Sequence, residues 1–189
     1  MTVAALIIDM QVDFFAHPRL ASRRAELVSR TNSLVAITRA AGCPVIWIRQ
    51  EFSPDLSDAS LEVRRNQTKV VIRGTRGAAI LPELDQRDID YLILKNRYSA
   101  FFRTPLDELL ERLECDQLVI AGVNTHACIR TTVVDAYQRD LDVILAKDCI
   151  DSLDAEHHEN AWRYMDGKLG RGMDNQQLQS WLEGPRHRF

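Results

Sequence analysis

Five short apolar runs divide the chain, and each one predicts a buried strand. They cover residues 3–8, 45–48, 91–94, 118–121 and 143–146. None alternates with polar positions, which is typical of strands covered on both faces, as in a parallel sheet.

The segments between these runs have helical spacing. Apolar and small residues recur every three or four positions over 21–41, and Gly42 closes that helix. We predict further helices over 105–113, 127–138 and from 155 onward, with a break at Gly170 and Gly172. The polar stretch 51–69 predicts a surface connection with a short helix near Ser60. The predicted class is α/β, a Rossmann-like three-layer sandwich around a central parallel sheet.

Composition narrows the class of protein. The 189 residues suit a single domain, with 46% hydrophobic and 27% charged residues and a net charge of -3. A net charge this close to zero does not indicate a basic surface for binding nucleic acid or an anionic membrane. The first apolar run is too short to span a membrane and has no basic flank, so we expect a cytoplasmic protein. The four cysteines form no C-x-x-C pair, and we expect free thiols.

Three reactive side chains follow predicted strands. Asp9 ends the first strand, Lys95 ends the third, and Cys128 follows the fourth through a short turn. Each has an ordinary alternative: a loop cap, a lysine reaching solvent, or a buried thiol. Because the carboxyl ends of parallel strands meet at one edge, where ligands bind, the combination predicts a site.

The turn before Cys128 has features of a nucleophile site. Gly122 permits a tight turn, and Thr125 can cap the helix that follows. In the first helical turn, unpaired N–H groups and the helix dipole would lower the pKa of the thiol and could hold an oxyanion. His126 cannot face Cys128 on one helix, so we expect a local or substrate contact at best. We expect solvated histidines at 157, 158 and 187.

Four ordered blocks resemble the isochorismatase-like cysteine hydrolases, a superfamily that includes nicotinamidases, N-carbamoylsarcosine amidohydrolases and isochorismatases. Residues 6–15 resemble its D-x-Q-x-D-F motif, 74–84 its middle loop, 95–101 its lysine motif and 122–128 its nucleophile turn. The similarity extends from residue 3 to about residue 152.

The resemblance implies a catalytic triad of Asp9, Lys95 and Cys128. It also implies a cis peptide bond before Asn124 and an oxyanion hole made by the backbone N–H groups of Asn124 and Cys128.

Three further residues are candidates for substrate binding. Phe14 matches a position that lines the family's pocket. Arg97 and Tyr98 could contact the substrate, although each also has an ordinary packing or surface interpretation. For Trp47 we favour packing.

The resemblance also limits the reaction. Nicotinamidases carry a metal site after the second strand, but residues 51–55 contain no histidine, so we predict no metal and no cofactor. Isochorismatases proper lack the nucleophilic cysteine. We therefore expect thioester-forming hydrolysis of a small amide, ureido or carbamoyl compound, by a homo-oligomer (dimer or tetramer) as is common in the family. A catalytically silent binding or scaffolding protein and a vinyl-ether hydrolase are the alternatives.

Two other α/β classes fit poorly. A haloacid dehalogenase-type phosphatase would need a second aspartate two residues after the first, where Gln11 stands. A dinucleotide-binding oxidoreductase would need glycines after the first strand, and residues 9–15 contain none.

Overall fold

A six-stranded parallel sheet forms the centre of the structure, a computed structural model that describes residues 2–184. The strands are β1 (Thr2–Ile8), β2 (Val45–Gln50), β3 (Tyr91–Lys95), β4 (Cys115–Gly122), β5 (Asp142–Ile150) and β6 (Arg171–Met173). They lie in the order β3-β2-β1-β4-β5-β6, and every neighbouring pair is parallel.

Helices cover both faces of the sheet. They are α1 (Pro18–Ala40), α2 (Leu61–Asn66), α3 (Leu106–Arg112), α4 (Arg130–Tyr137), α5 (Ala155–Met165) and α6 (Asn175–Glu183). Two short 3-10 turns and one π-helical turn, Thr125–Ile129, complete the elements. The predicted three-layer α/β class is confirmed.

Alternate side chains of β1 point into two separate cores. Ala5 and Ile7 pack in the core that holds the apolar sides of α1 and α6. Leu6 and Ile8 pack in the core beneath α3, α4 and α5. All four are at most 1% exposed. An unbroken apolar run is therefore required, because both faces of this strand are buried.

The direction of the chain connections reverses between β1 and β4. From β1 the chain proceeds outward to β2 and β3, then returns to β4 on the other side of β1 and proceeds to β5 and β6. A crevice opens at the carboxyl ends of the strands at such a switch point, and ligands bind there in open α/β sheets.

Two regions differ from the sequence-based expectation. The sixth strand, β6, was missed, because three residues around a glycine provide no apolar run. The connection 51–69 contains the expected short helix, α2, capped by Ser60. It also contributes Phe52, Leu56 and Ala59 to a small apolar core of its own, so it is more than a surface connection.

Over residues 2–184, the structure has no helix of the length and apolar character needed to cross a membrane.

Gly122 packs against β1 so closely that a side chain has no room. Its φ is +121°, and an added Cβ would lie 1.9 Å from the carbonyl oxygen of Ile8. We expect Gly122→Ala to destabilise the protein by more than Gly42→Ala, which shares a positive φ (+69°) but has open space around its Cβ. Backbone strain alone costs about 1–3 kcal/mol. Urea unfolding of both variants measures the difference, and equal losses would contradict the close-contact explanation.

Candidate active site

The ammonium group of Lys95 is the hub of a buried cluster at the switch point. Its Nζ lies 2.7 Å from Asp9 Oδ2 and 3.4 Å from Cys128 Sγ. It also donates to Gln50 Oε1 at 3.1 Å and to the Arg97 carbonyl oxygen at 3.0 Å. The structure thus brings together the three reactive residues that the sequence placed at strand ends.

Asp9 is held where β1 leaves the sheet. Its φ is +55°, an uncommon conformation for a residue other than glycine, and its N–H donates to the Ile48 carbonyl at 2.9 Å. The side chain is 1% exposed, and Oδ1 has no hydrogen-bond partner among the described residues. Burial raises the pKa of the Asp9 carboxyl, while the charge of Lys95 acts in the opposite direction.

Lys95 remains a cation despite its burial. Desolvation by itself would lower the pKa of the ammonium, but the attraction of Asp9 and Cys128 outweighs it and raises that pKa. The structure therefore places the Lys95 ammonium against both the Asp9 carboxyl and the Cys128 thiol.

Cys128 lies in the π-helical turn Thr125–Ile129 rather than in a regular first turn of α4. The carbonyl oxygen of Asn124 accepts from the N–H groups of Ala127 (3.1 Å) and Ile129 (3.2 Å), the residues on either side of Cys128. The peptide bond before Asn124 is cis. These contacts hold a tight turn directly after β4.

The pKa of the Cys128 thiol is raised, not lowered as its place near a helix start suggested. Burial is the largest cause and the Asp9 charge adds to it, while Lys95 opposes both. The thiol is 3% exposed and lacks the water that would stabilise a thiolate. Cys128 therefore needs a base to become a nucleophile, and Asp9 is the adjacent candidate.

Gln50 is a member of the cluster that the sequence did not reveal. Its Oε1 lies between Lys95 Nζ (3.1 Å) and Cys128 Sγ (3.7 Å). Gln11 holds its backbone from both sides, donating to the Gln50 carbonyl and accepting from its N–H, each at 2.8 Å. Gln50 is the last residue of β2, which extends two residues beyond the predicted run. A correct end for that strand would have placed Gln50 at the same sheet edge as Asp9 and Lys95.

Asp13 anchors the loop that covers this edge. Its Oδ2 accepts from the Val71 N–H at 2.6 Å, and its own N–H donates to the Gly77 carbonyl at 3.0 Å. A Cβ on Gly77 would lie 2.1 Å from Asp13 Oδ1, so a side chain at position 77 would displace the Asp13 carboxylate. In the D-x-Q-x-D segment, Gln11 and Asp13 thus organise backbone around Asp9.

The three predicted substrate-binding residues have different surroundings. Phe14 is half-buried and packs against two apolar cores. Arg97 is half-buried, and its Nη1 donates to the carbonyl oxygens of Asp58 and Asn96. Tyr98 is 51% exposed. Burial is the first cause of the raised pKa of its phenol, and Cys128 is among the groups that act on it.

Aromatic and histidine side chains nearby have structural contacts. Trp47 is fully buried and donates to Asp90, as expected for packing. His126 makes a local contact, with Nδ1 2.7 Å from Ser152 Oγ. His157 is exposed as expected. His158 is not solvated, because the π-helical turn packs against its ring (19% exposed), and position 187 lies outside the described residues.

The segment after β2 does not fit a metal site. Glu51 is paired with Arg49 at 2.6 Å and with Arg73 at 3.6 Å, and Asp55 accepts from Ser57. Within residues 2–184, no group of three or more His, Cys, Asp or Glu could hold a metal ion. The absence of a metal in the working protein stays a prediction.

The protein is thus a three-layer α/β protein, a doubly covered parallel sheet with three reactive side chains together at its switch point. The family model for the Isochorismatase domain matches residues 3–177, and the chain belongs to that family. The family includes amidohydrolases that act on C–N bonds.

Three relatives illustrate the range of the family. A protein of Arabidopsis thaliana named "probable inactive nicotinamidase" is 39% identical over 145 residues, covering 72% of this chain and 74% of that protein. The ureidoacrylate amidohydrolase of Methylorubrum extorquens is 28% identical over 78% of this chain and 64% of its own length. The crystal structure of an isochorismatase family protein from Desulfovibrio vulgaris superimposes with a TM-score of 0.86 at 30% identity, covering 97% and 99% of the two chains.

The buried ion pair makes a stability prediction. We expect Lys95→Met to cost about 3–5 kcal/mol of unfolding free energy, because it leaves the Asp9 carboxylate buried without a countercharge. The double variant Asp9→Asn/Lys95→Met removes both charges and should recover most of the unfolding free energy lost in Lys95→Met. As a control, Arg139→Met breaks an exposed pair with Asp107 and should cost about 0–1 kcal/mol. Urea unfolding at pH 7 measures the unfolding free energy of each variant. Similar losses of that free energy in Lys95→Met and Arg139→Met would refute the prediction.

Proposed function

We propose that this protein is a cysteine-dependent hydrolase of a small amide, ureido or carbamoyl compound, acting through a thioester. The observation that carries the proposal is the buried contact of one ammonium, Lys95 Nζ, with both the Asp9 carboxylate and the Cys128 thiol. A nucleophile, a base and a cation within reach of one another are the parts that covalent acyl transfer needs.

The first half of the proposed reaction forms the thioester. Asp9 accepts the proton of the Cys128 thiol, and the sulfur forms a bond to the carbonyl carbon of the substrate. The oxyanion intermediate collapses, the C–N bond breaks, and the amine or ammonia departs with the proton that Asp9 held. The cation of Lys95 favours the charged forms of its two neighbours throughout.

The second half regenerates the enzyme. Water gives a proton to Asp9 and attacks the thioester carbon. The C–S bond breaks, the acid leaves, and the Cys128 sulfur recovers the proton from Asp9. The whole cycle balances as amide plus water giving acid plus amine, and it needs no metal or cofactor.

The backbone N–H groups of Asn124 and Cys128 are the proposed oxyanion donors. Support comes from the π-helical turn, in which the Asn124 carbonyl is bonded by the residues flanking Cys128. Fixed donors of this kind stabilise charge that develops only in the transition state. We assign Phe14 and Tyr98 to the substrate pocket and Arg97 to its wall, where its carbonyl oxygen contacts Lys95.

The relatives support the substrate class without naming the substrate. A ureidoacrylate amidohydrolase hydrolyses a ureido compound, and the match covers 78% of this chain and 64% of that protein. Because residues 51–55 contain no histidine, and Glu51 and Asp55 already bond Arg49 and Ser57, we favour ureido and carbamoyl compounds over nicotinamide.

A silent binding protein is the second candidate, favoured by the name "probable inactive nicotinamidase" of the Arabidopsis relative. The buried Lys95–Asp9 pair beside Cys128 argues for activity in this chain. A cytoplasmic location and a homo-oligomeric state, dimer or tetramer, remain parts of the proposal.

Turnover and trapping test the nucleophile. We expect release of ammonia from at least one member of a panel of ureido acids, N-carbamoyl amino acids and primary amides, and an acyl adduct on Cys128 by intact and peptide mass spectrometry. Cys128→Ala should lose activity by at least about 10³-fold. Cys115→Ala, a matched change at a buried thiol outside the cluster, should keep it. A stable, folded protein that releases nothing and forms no adduct would favour the silent candidate.

The raised pKa of Asp9 predicts the acid limb of the pH profile. Asp9 must be ionised to accept the thiol proton, so kcat/KM should fall as pH decreases through a midpoint above the ordinary aspartate value. The raised pKa of Lys95 keeps the cation intact through neutral and mildly alkaline pH, so no loss is expected there from this group. Steady-state rates from pH 3 to 9 measure the limb, with circular dichroism as the control for unfolding. A midpoint at or below the ordinary aspartate value, in folded protein, would argue against Asp9 as the base.

A further inference from the structure

Hydrogen bonds connect the turn that carries Asn124 and Cys128 to the segment 151–158, which follows β5 and includes the first turn of α5. Four hydrogen bonds join the two. They are Thr125 N–H to the Asp151 carbonyl (3.1 Å), Leu153 N–H to Asn124 Oδ1 (2.9 Å), His126 Nδ1 with Ser152 Oγ (2.7 Å) and His158 Nδ1 with Thr125 Oγ1 (2.7 Å).

The contact between His158 and Thr125 is the most enclosed side-chain pair of this set. Thr125 is fully buried, and the His158 side chain is 19% exposed. The His158 ring also stacks on Trp162, with ring centroids 6.3 Å apart and an angle of 24° between the planes. The imidazole is thus held by its stacking on Trp162 within α5, while its Nδ1 contacts Thr125 of the turn that carries Cys128.

The surroundings of His158 favour the neutral form of its imidazole. Asp151 Oδ1 lies 4.0 Å from His158 Nδ1, but the two oxygens of Asp151 already accept from Arg19 (2.7 Å) and Arg23 (2.9 Å) of α1. Burial is the largest cause of a lowered pKa for His158. Arg19 and Arg23 act in the same direction, while Asp151 and Glu159, the latter on its own helix, oppose them.

We propose that His158 is a positioning residue, which holds the Thr125 hydroxyl and thereby fixes the backbone turn that presents the Asn124 and Cys128 N–H groups. This inference rests on the proposed hydrolase function.

The expected consequence is a loss confined to the chemical step. Oxyanion donors act only when they lie about 2.7–3.1 Å from the position of the developing charge. A displacement of about 1 Å can cost about 100-fold in rate. The uncharged carbonyl oxygen of the bound substrate interacts with these N–H donors more weakly than the oxyanion does. KM should therefore change much less than kcat.

The test uses four single variants of the full chain and the double variant His158→Phe/Thr125→Val, all checked for folding by thermal unfolding. His158→Phe keeps the ring that stacks on Trp162 and removes the hydrogen bond, while His158→Asn retains a polar atom near the position of Nδ1. Thr125→Val removes the other partner at nearly constant shape. His157→Phe is the control, at the exposed neighbouring histidine.

We expect His158→Phe and Thr125→Val each to lower kcat about 10- to 100-fold with little change in KM. The double variant should be no worse than either alone, because both remove one contact. His158→Asn should restore much of the rate, and His157→Phe should match the unchanged protein. Additive losses, or a loss of His158→Phe activity that only tracks the unfolded fraction, would overturn the proposal.

A second readout needs no turnover. Acetaldehyde labelled with ¹³C at its carbonyl adds to a thiol: the S–C bond forms, the carbonyl oxygen takes the proton, and the product is a hemithioacetal. We expect NMR to show this adduct on Cys128, absent in Cys128→Ala, with affinity at least about tenfold weaker in His158→Phe. An adduct of equal affinity in His158→Phe overturns the role of His158 alone. The lack of any adduct or turnover in the unchanged protein overturns the proposed function, and the role of His158 with it.

Discussion

The contact of Lys95 with Asp9 is the interaction on which the rest of the site depends. Both side chains are buried. Removing each charge from water costs several kcal/mol, and the attraction between the two ions offsets that cost only when their geometry is good. Here the sheet supplies that geometry, because Asp9 follows the central strand β1, and Gln50 and Lys95 are register partners on β2 and β3. The ammonium finds its acceptors at the ends of neighbouring strands, so the site is a product of strand order and register.

The same burial determines the state of the thiol. Burial of Cys128 beside the Asp9 carboxyl raises the pKa of the thiol and so favours its protonated form. In the proposed reaction the thiol proton passes to Asp9, whose Oδ1 has no hydrogen-bond partner among the described residues. The raised pKa values of Cys128 and Asp9 share one main cause, the exclusion of water.

Two polar side chains of the D-x-Q-x-D segment provide structural support. Gln11 bonds the backbone of Gln50 on both sides, and Asp13 fixes the loop through Val71 and Gly77. Buried polar side chains of this kind are stable only when their hydrogen bonds are satisfied, so each one specifies a particular backbone path. These side chains hold the backbone around the reacting groups and do not contact the thiol.

The sequence by itself determined the α/β class, five of the six strands and the meeting of Asp9, Lys95 and Cys128 at one edge. Those features follow from local patterns, since a doubly buried strand needs an unbroken apolar run and the residue after it emerges at a known edge. Only the tertiary structure revealed β6, the place of Gln50 between Lys95 and Cys128, the burial of His158 against Thr125, and the raised pKa of the thiol. Each of these depends on distances between segments far apart in the chain and on how much water they exclude, and no short-range pattern encodes either quantity.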